Sequence, residues 1–181
     1  MPNTNGSAPV WFNRNPDLDV GYLQAWRETP LTYKSDRAID HHWNADHYEI
    51  VLGQDSTGDL FGRAAMITLL NQFYPSDVMS NTSDFGLENR PVRVGDRVIQ
   101  RIHIFRIAGK PVYDILTMNE ITRVVEETRR IGFTYTTTAI HFEIGEFSPA
   151  VMWRENGEVV LSIDVLSRGL PGAPAFSRWF T

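Results

Sequence analysis

Residues 147–167 read FSPAVMWRENGEVVLSIDVLS, and the fold turns on how this stretch is interpreted. Its centre, Glu155-Asn156-Gly157, holds the Asn-Gly pair favoured in two-residue hairpin turns, where both central residues need a positive φ. Runs rich in Val, Ile, Phe and Trp flank that centre. The spacing predicts an antiparallel hairpin joining roughly Phe147–Arg154 to Glu158–Ser167. In the second strand Val159, Leu161, Ile163 and Val165 share one face, while Glu158, Val160, Ser162, Asp164 and Leu166 share the other. One face is therefore core and the other mixed.

Upstream of the hairpin, the chain from Val92 onward continues in short runs of Val, Ile, Thr, Phe and Tyr, broken by turns such as Ala108-Gly109-Lys110. Before that the pattern differs. His47–Leu52 (HYEIVL) reads as a strand closed by Gly53, and LFGRAAMITLLNQF follows with Phe61, Ala64, Ala65, Thr68, Leu69 and Phe73 at helical spacing. Ser56 and Asp59 have the spacing of a capping box, and Pro75 is expected to end the helix. The polar stretch SNTSDFGLENR, residues 80–90, reads as a long loop and a candidate lid.

Residues 1–25 read as a flexible arm, because the first twenty are rich in Asn, Pro, Gly and Ser. Trp11, Phe12, Tyr22 and Trp26 would gain free energy by docking, either on the parent domain or on a second subunit as homodimer contacts. The remaining residues 26–181 are expected to form one α+β domain. Its last segment, PGAPAFSRWFT, places Phe176, Trp179 and Phe180 at near-helical spacing, as at the start of a helix.

Composition limits the function. Of 181 residues, 42% are hydrophobic and 22% charged, which is globular and ordered. Seventeen Lys and Arg against 22 Asp and Glu leave a net charge of -5, so phosphate-rich partners are repelled and no nucleic acid is expected. The absence of cysteine removes disulfides, thiol nucleophiles and iron–sulfur clusters, and fits a reducing cytoplasm. No stretch approaches the ~18 consecutive apolar residues of a membrane span, so membrane insertion is not expected either.

The segment RRIGFTYTTTAIHFEIGE, Arg129–Glu146, followed by the hairpin and by Ser167-Arg168, resembles uncharacterised protein family 0548, a family of unknown function. Gly132, Phe133, Tyr135, Thr137, His141, Glu143, Gly145, Glu146, Ser167 and Arg168 occupy positions of that pattern, and Leu31–Tyr33, the strand before the helix and Val94–Val98 follow in the same order. The resemblance covers about residues 31–170. Thr136, Ile140 and Gly169 depart from the pattern, as in a divergent member. The order of elements that the resemblance brings with it is similar to the helix-grip plan of START-like lipid-transfer and polyketide-cyclase-like domains. That plan implies a curved antiparallel sheet wrapped around a helix, with an internal apolar pocket.

The densest polar group in the chain is Tyr135, Thr137, His141, Glu143 and Glu146. Tyr135 and Thr137 share a strand face. A histidine with an ordinary pKa of ~6.5 beside a carboxylate makes a candidate acid and base pair, and Tyr135 a candidate donor to a developing oxyanion. The alternative is that His141 and Glu143 only cap backbone groups in the turn after Ala139, while Glu146 pairs with Arg129 or Arg168. A second group, Arg101, His103 and Phe105, alternates along VIQRIHIFRI and could bind a substrate carbonyl or carboxylate; otherwise Arg101 pairs with Glu120 or Glu126. Arg168 joins the candidate substrate-binding set. Asp40, His41, His42, Asp46 and His47 match no metal motif, no nucleotide-binding or hydrolase signature occurs, and no cofactor is expected. The resulting expectation is a cofactor-independent enzyme that cyclises, isomerises or dehydrates a hydrophobic metabolite. A non-catalytic carrier of a lipid or aromatic compound is the main alternative, and a homo-oligomeric interaction module the second.

Overall fold

Gly157 adopts φ 85°, and the turn it forms is closed by bonds from Gly157 N–H to the Arg154 carbonyl (3.0 Å) and from Arg154 N–H to the Glu158 carbonyl (2.8 Å). This is the expected hairpin, joining β7 (Glu143–Trp153) to β8 (Glu158–Gly169) from Trp153 opposite Val159 to Glu143 opposite Gly169, although its turn runs over Glu155–Gly157 and Gly157 alone, not Asn156, takes a positive φ. It sits in a computed structural model that describes residues 10–11, 17–33, 43–71, 79–107 and 110–169. The other strands are β1 (Val10–Trp11), β2 (Asn44–Gln54), β3 (Met79–Ser83), β4 (Arg97–Ile107), β5 (Lys110–Glu127) and β6 (Arg130–Thr137). Among the described residues three helices intervene: α1 (Asp17–Ala25), α2 (Asp59–Leu69) and α3 (Asp84–Leu87). Among the described residues no helix is long and apolar enough to cross a membrane.

The strands form a curved, open antiparallel sheet in the order β2-β8-β7-β6-β5-β4-β3, with β1 paired to β5. Consecutive strands from β3 to β8 are neighbours, as hairpin connections produce, whereas β2 crosses over to pair with the last strand. Register shifts at Val51/Gly53, His103/Phe105 and Ile121/Arg123 mark irregularities of the bulge kind, which bend a strand and so help the sheet to curve.

Side-chain alternation gives this sheet two different faces. On one, Phe61 and Ala64 of α2 pack on Val151 and Val159, while Phe85 of α3 and Val92 pack on Val98, Ile121 and Phe133. On the other, Tyr22, Leu23 and Trp26 pack on Ile99, Leu116, Met118 and Ile140. Each fully buried aliphatic side chain in these layers contributes about 1.5–3 kcal/mol relative to exposure. Thus α1 lies within the segment read as an arm, and Tyr22 and Trp26 dock on the chain's own sheet. Trp11 and Phe12 side chains lie outside the described residues, as do Phe73, Pro75, Ala108-Gly109 and the segment 170–181.

Two expectations need correction. Residues 80–90 are not a loop: Met79–Ser83 pairs with β4, Ser83 Oγ accepts from Gly86 N–H (3.0 Å), and Phe85 is 2% exposed. The lid reading therefore fails, because the segment is built into the sheet and core. The capping box is also absent. Asp55 does that work, its carboxylate accepting from the backbone N–H groups of Thr57, Gly58 and Phe61, which hold its pKa down to about 2.

Candidate functional site

Between the α2 and α3 contacts, the same face of the sheet leaves a cavity of about 270 Å³. Gln100 and Ile102 of β4, Tyr135 and Thr137 of β6, Phe147 of β7 and Val165 of β8 line it, with Tyr48 and Met79 toward the sheet's two edges. His141, Phe142 and Glu143 enter from the turn between β6 and β7, and Glu146 also borders it. The sequence group Tyr135, Thr137, His141, Glu143 and Glu146 is thereby gathered around one space.

The turn that carries His141 is fixed by its backbone. Met118 N–H donates to the Ile140 carbonyl (3.1 Å), Thr138 N–H to the Met118 carbonyl (3.2 Å) and Ala139 N–H to the Pro30 carbonyl (3.0 Å). The Thr138 hydroxyl adds a bond to the Met118 carbonyl (2.8 Å). Thr137 holds the start of β7: its hydroxyl accepts from Gly145 N–H (2.9 Å) and lies 2.7 Å from the Thr32 hydroxyl. Gly145 has φ 157°, and a Cβ there would meet the Leu166 carbonyl oxygen at 1.9 Å. Only glycine lets β7 and β8 approach this closely beside the cavity.

The titratable groups depart from their ordinary values because they are buried. Glu143 N–H donates to His141 Nδ1 (3.0 Å), which places the imidazole proton on Nε2. Burial pushes the His141 pKa down to about 4, so the ring is neutral at physiological pH. Burial pushes the Glu143 carboxyl up to about 7, and its Oε1 is buried with no hydrogen-bond partner. Glu146 is also raised by burial, against the lowering influence of Arg123. Of the pair expected from sequence, it is thus the Glu143 carboxyl that lies near neutrality, while the His141 ring is neutral. The capping alternative for His141 holds as well, since the same ring nitrogen accepts the backbone amide.

Tyr135 is oriented by groups that the sequence reading passed over. Asn119 Nδ2 donates to Gln100 Oε1 (2.8 Å), and Gln100 Nε2 donates to the Tyr135 hydroxyl (2.9 Å). The Tyr135 ring stacks on Phe147 with centroids 5.0 Å apart. Gln100 and Asn119 are 2% and 0% exposed. The available signal was polar residues at buried positions of apolar strands, with Gln100 on the parity opposite to Arg101.

Arg101 and His103 do not reach the cavity. They project from the α1 face, where Arg101 binds Asp19 and Asp114 and His103 Nδ1 lies 2.7 Å from Asp114. Glu120 instead pairs with Arg97 (2.6 Å). The Phe105 side chain lies outside the described residues. Arg168 stacks over the Trp43 ring at 4.9 Å, and Arg129 over Trp153 at 5.2 Å, so neither pairing foreseen for Glu146 is formed in this way. Asp40, His41 and His42 lie outside the described residues, and His47 Nδ1 is 2.6 Å from Asp164. Among the described residues no group of three His, Asp or Glu gathers as for a metal ion.

A larger depression of about 420 Å³ borders the β7–β8 turn. Its polar groups already serve the fold: Asp55 caps α2, Trp153 Nε1 donates to the Asp55 carbonyl (3.1 Å), and Asn156 bonds Glu158 (3.0 Å). The smaller cavity, with an orphaned carboxylate oxygen and perturbed acids, is the stronger candidate.

A family model described as "Domain of unknown function (DUF1990)" matches residues 28–177. No curated protein matches the chain. Among solved structures, three crystal structures of ginseng major latex-like protein 151 from Panax ginseng are similar. The first has a TM-score of 0.46 at 14% identity, covering 77% of this chain and 89% of that one. The other two have TM-scores of 0.40 and 0.44 at 16% and 14% identity, each covering 76% of this chain and 88% of the other.

Proposed function

Since the chain belongs to the DUF1990 family, whose function is unknown, its activity has to be read from its own cavity, and we propose that it binds an apolar small molecule there. The residues that resemble family 0548 lie inside the matched span, which supports reading the two as one family. The observation that carries the binding proposal is the meeting of Tyr135, His141 and Glu143, from a strand and the turn after it, around one space walled by Phe142, Phe147, Ile102 and Val165. Aromatic and aliphatic walls with a few convergent polar groups are the general make-up of ligand sites. At about 270 Å³ the space suits a ring system with a short substituent better than a long-chain lipid.

Native mass spectrometry of freshly purified protein, followed by identification of what denaturation releases, tests this reading. A stoichiometric apolar adduct is expected, absent from a Val165→Trp variant that fills the space. Retention of the adduct by that variant would place the ligand elsewhere.

A catalytic reading is favoured by one further observation, the carboxyl of Glu143, raised by burial to about 7, in a cavity that Tyr135 and His141 also line. Glu143 would move a proton while Tyr135 and His141 hold a developing oxyanion, with no cofactor. Once the ligand is known, Tyr135→Phe is expected to slow its conversion by about 100-fold or more while binding persists. A ligand that returns chemically unchanged from prolonged incubation makes the protein a carrier.

A further inference from the structure

The cavity is electrically one-sided. Asp46, Glu143 and Glu146 border it, and among the described residues no lysine or arginine does. Arg168 is stacked on Trp43, and Arg123 acts on Glu146 without lining the space. Between the carboxylates the walls are aromatic, with Tyr48, Tyr135, Phe142 and Phe147.

The cavity also holds a hydrogen-bond acceptor that no donor reaches. Glu143 Oε1 is buried and unpartnered, and so is Oδ1 of Asn119, the residue behind the wall that holds Gln100 in place. A fatty-acid carboxylate or a phosphate would meet like charge, with no cation among the described lining residues to receive it. A hydrocarbon would leave the Glu143 oxygen unsatisfied, which costs about 1–3 kcal/mol for a buried polar group. An ammonium resolves both problems, because it donates to the carboxylate and is attracted to the faces of aromatic rings.

Building on the reading of this cavity as a ligand site, we propose that its ligand is an apolar amine, aromatic or short-chained, bound as the ammonium with its nitrogen at Glu143. Proton linkage then follows. The titratable groups that share the cavity with Glu143 are Asp46 and Tyr48 from β2, Tyr135 from β6, His141 from the turn and Glu146 from β7. An ammonium at Glu143 favours its ionised form, so binding below about pH 7 expels a proton and affinity rises with pH toward that value.

Calorimetry with three probes of one shape, 1-naphthylmethylamine, 1-naphthylmethanol and 1-naphthylacetate, tests the proposal on the full chain. At pH 8 the amine is expected to bind at least about tenfold more tightly than the alcohol, with the carboxylate weakest. Glu143→Gln should bring the amine to within about twofold of the alcohol. At pH 6.5 the amine's binding enthalpy should vary with the buffer's ionisation enthalpy, as proton release requires. Alcohol or carboxylate binding as tight as the amine would overturn the amine assignment and leave the ligand site standing. Failure of all three probes to bind would overturn the ligand site itself.

Discussion

Burial drives Glu143 and His141 in opposite directions, and both become uncharged. The Glu143 carboxyl rises from 4.5 to about 7, so the folded state holds that proton more tightly than the unfolded chain. Its contribution to stability is full below about pH 4.5 and is lost as pH rises through about 7. The His141 ring falls from 6.5 to about 4, so its contribution is present above about 6.5 and is lost as pH falls through about 4. Between about 4.5 and 6.5 the two slopes oppose and largely cancel. Glu143→Gln should expose the difference: equal to the parent at pH 5, and more stable than it by roughly 1–3 kcal/mol at pH 8, because a buried unpartnered charge is gone. Urea denaturation at the two pH values measures this, and a stability change independent of pH would refute it.

At the level of elements, α1 is tied to the sheet by a buried ionic cluster. Arg101, Asp19 and Asp114 are 2%, 3% and 3% exposed, and His103 completes the group. Removing one member strands the others without a partner, so Arg101→Leu is expected to cost about 3–5 kcal/mol in unfolding free energy. Because this cluster lies on the α1 face, ligand affinity at the cavity should stay within about twofold where the variant is folded. An affinity loss larger than the parent's own error would reconnect Arg101 to the site. The same strand explains a misreading of parity. Along β4 both faces mix apolar with polar residues, so alternation alone could not say whether Arg101 or Gln100 faces the ligand. The β7–β8 hairpin was legible because Asn156-Gly157 leaves few backbone alternatives. β3 was not, since Ser80, Asn81 and Ser83 are poor strand formers, and pairing with β4 overrides their local preference. The short α1, packed by only a few apolar residues and preceded by a turn-rich stretch, was hidden for a similar reason. What could be read of the cavity came from its acids and His141 lying close together in sequence; Gln100 and Asn119 belong to distant strands and meet Tyr135 only in the fold.

For the molecule as a whole, the open sheet ends in β2 and β3. In β2, Tyr48, Ile50 and Val51 are 55%, 55% and 58% exposed, and one edge of the strand pairs with β8. Amides of β2 that point away from β8 are therefore expected to exchange with solvent faster, by about two orders of magnitude or more, than those in the central β5–β7 pairs. Uniform protection along β2 would instead reveal a cover on that edge. The crossover from β2 to β8 has a further consequence for synthesis. His47 meets Asp164 across 117 positions of chain, so β2 emerges from the ribosome long before β8, its neighbour in the sheet. At roughly 5–20 residues per second the wait lasts several seconds. During that interval Tyr48, Ile50, Val51 and Leu52 sit on a strand with both edges unpaired, a template for wrong pairing that a chaperone would have to shield.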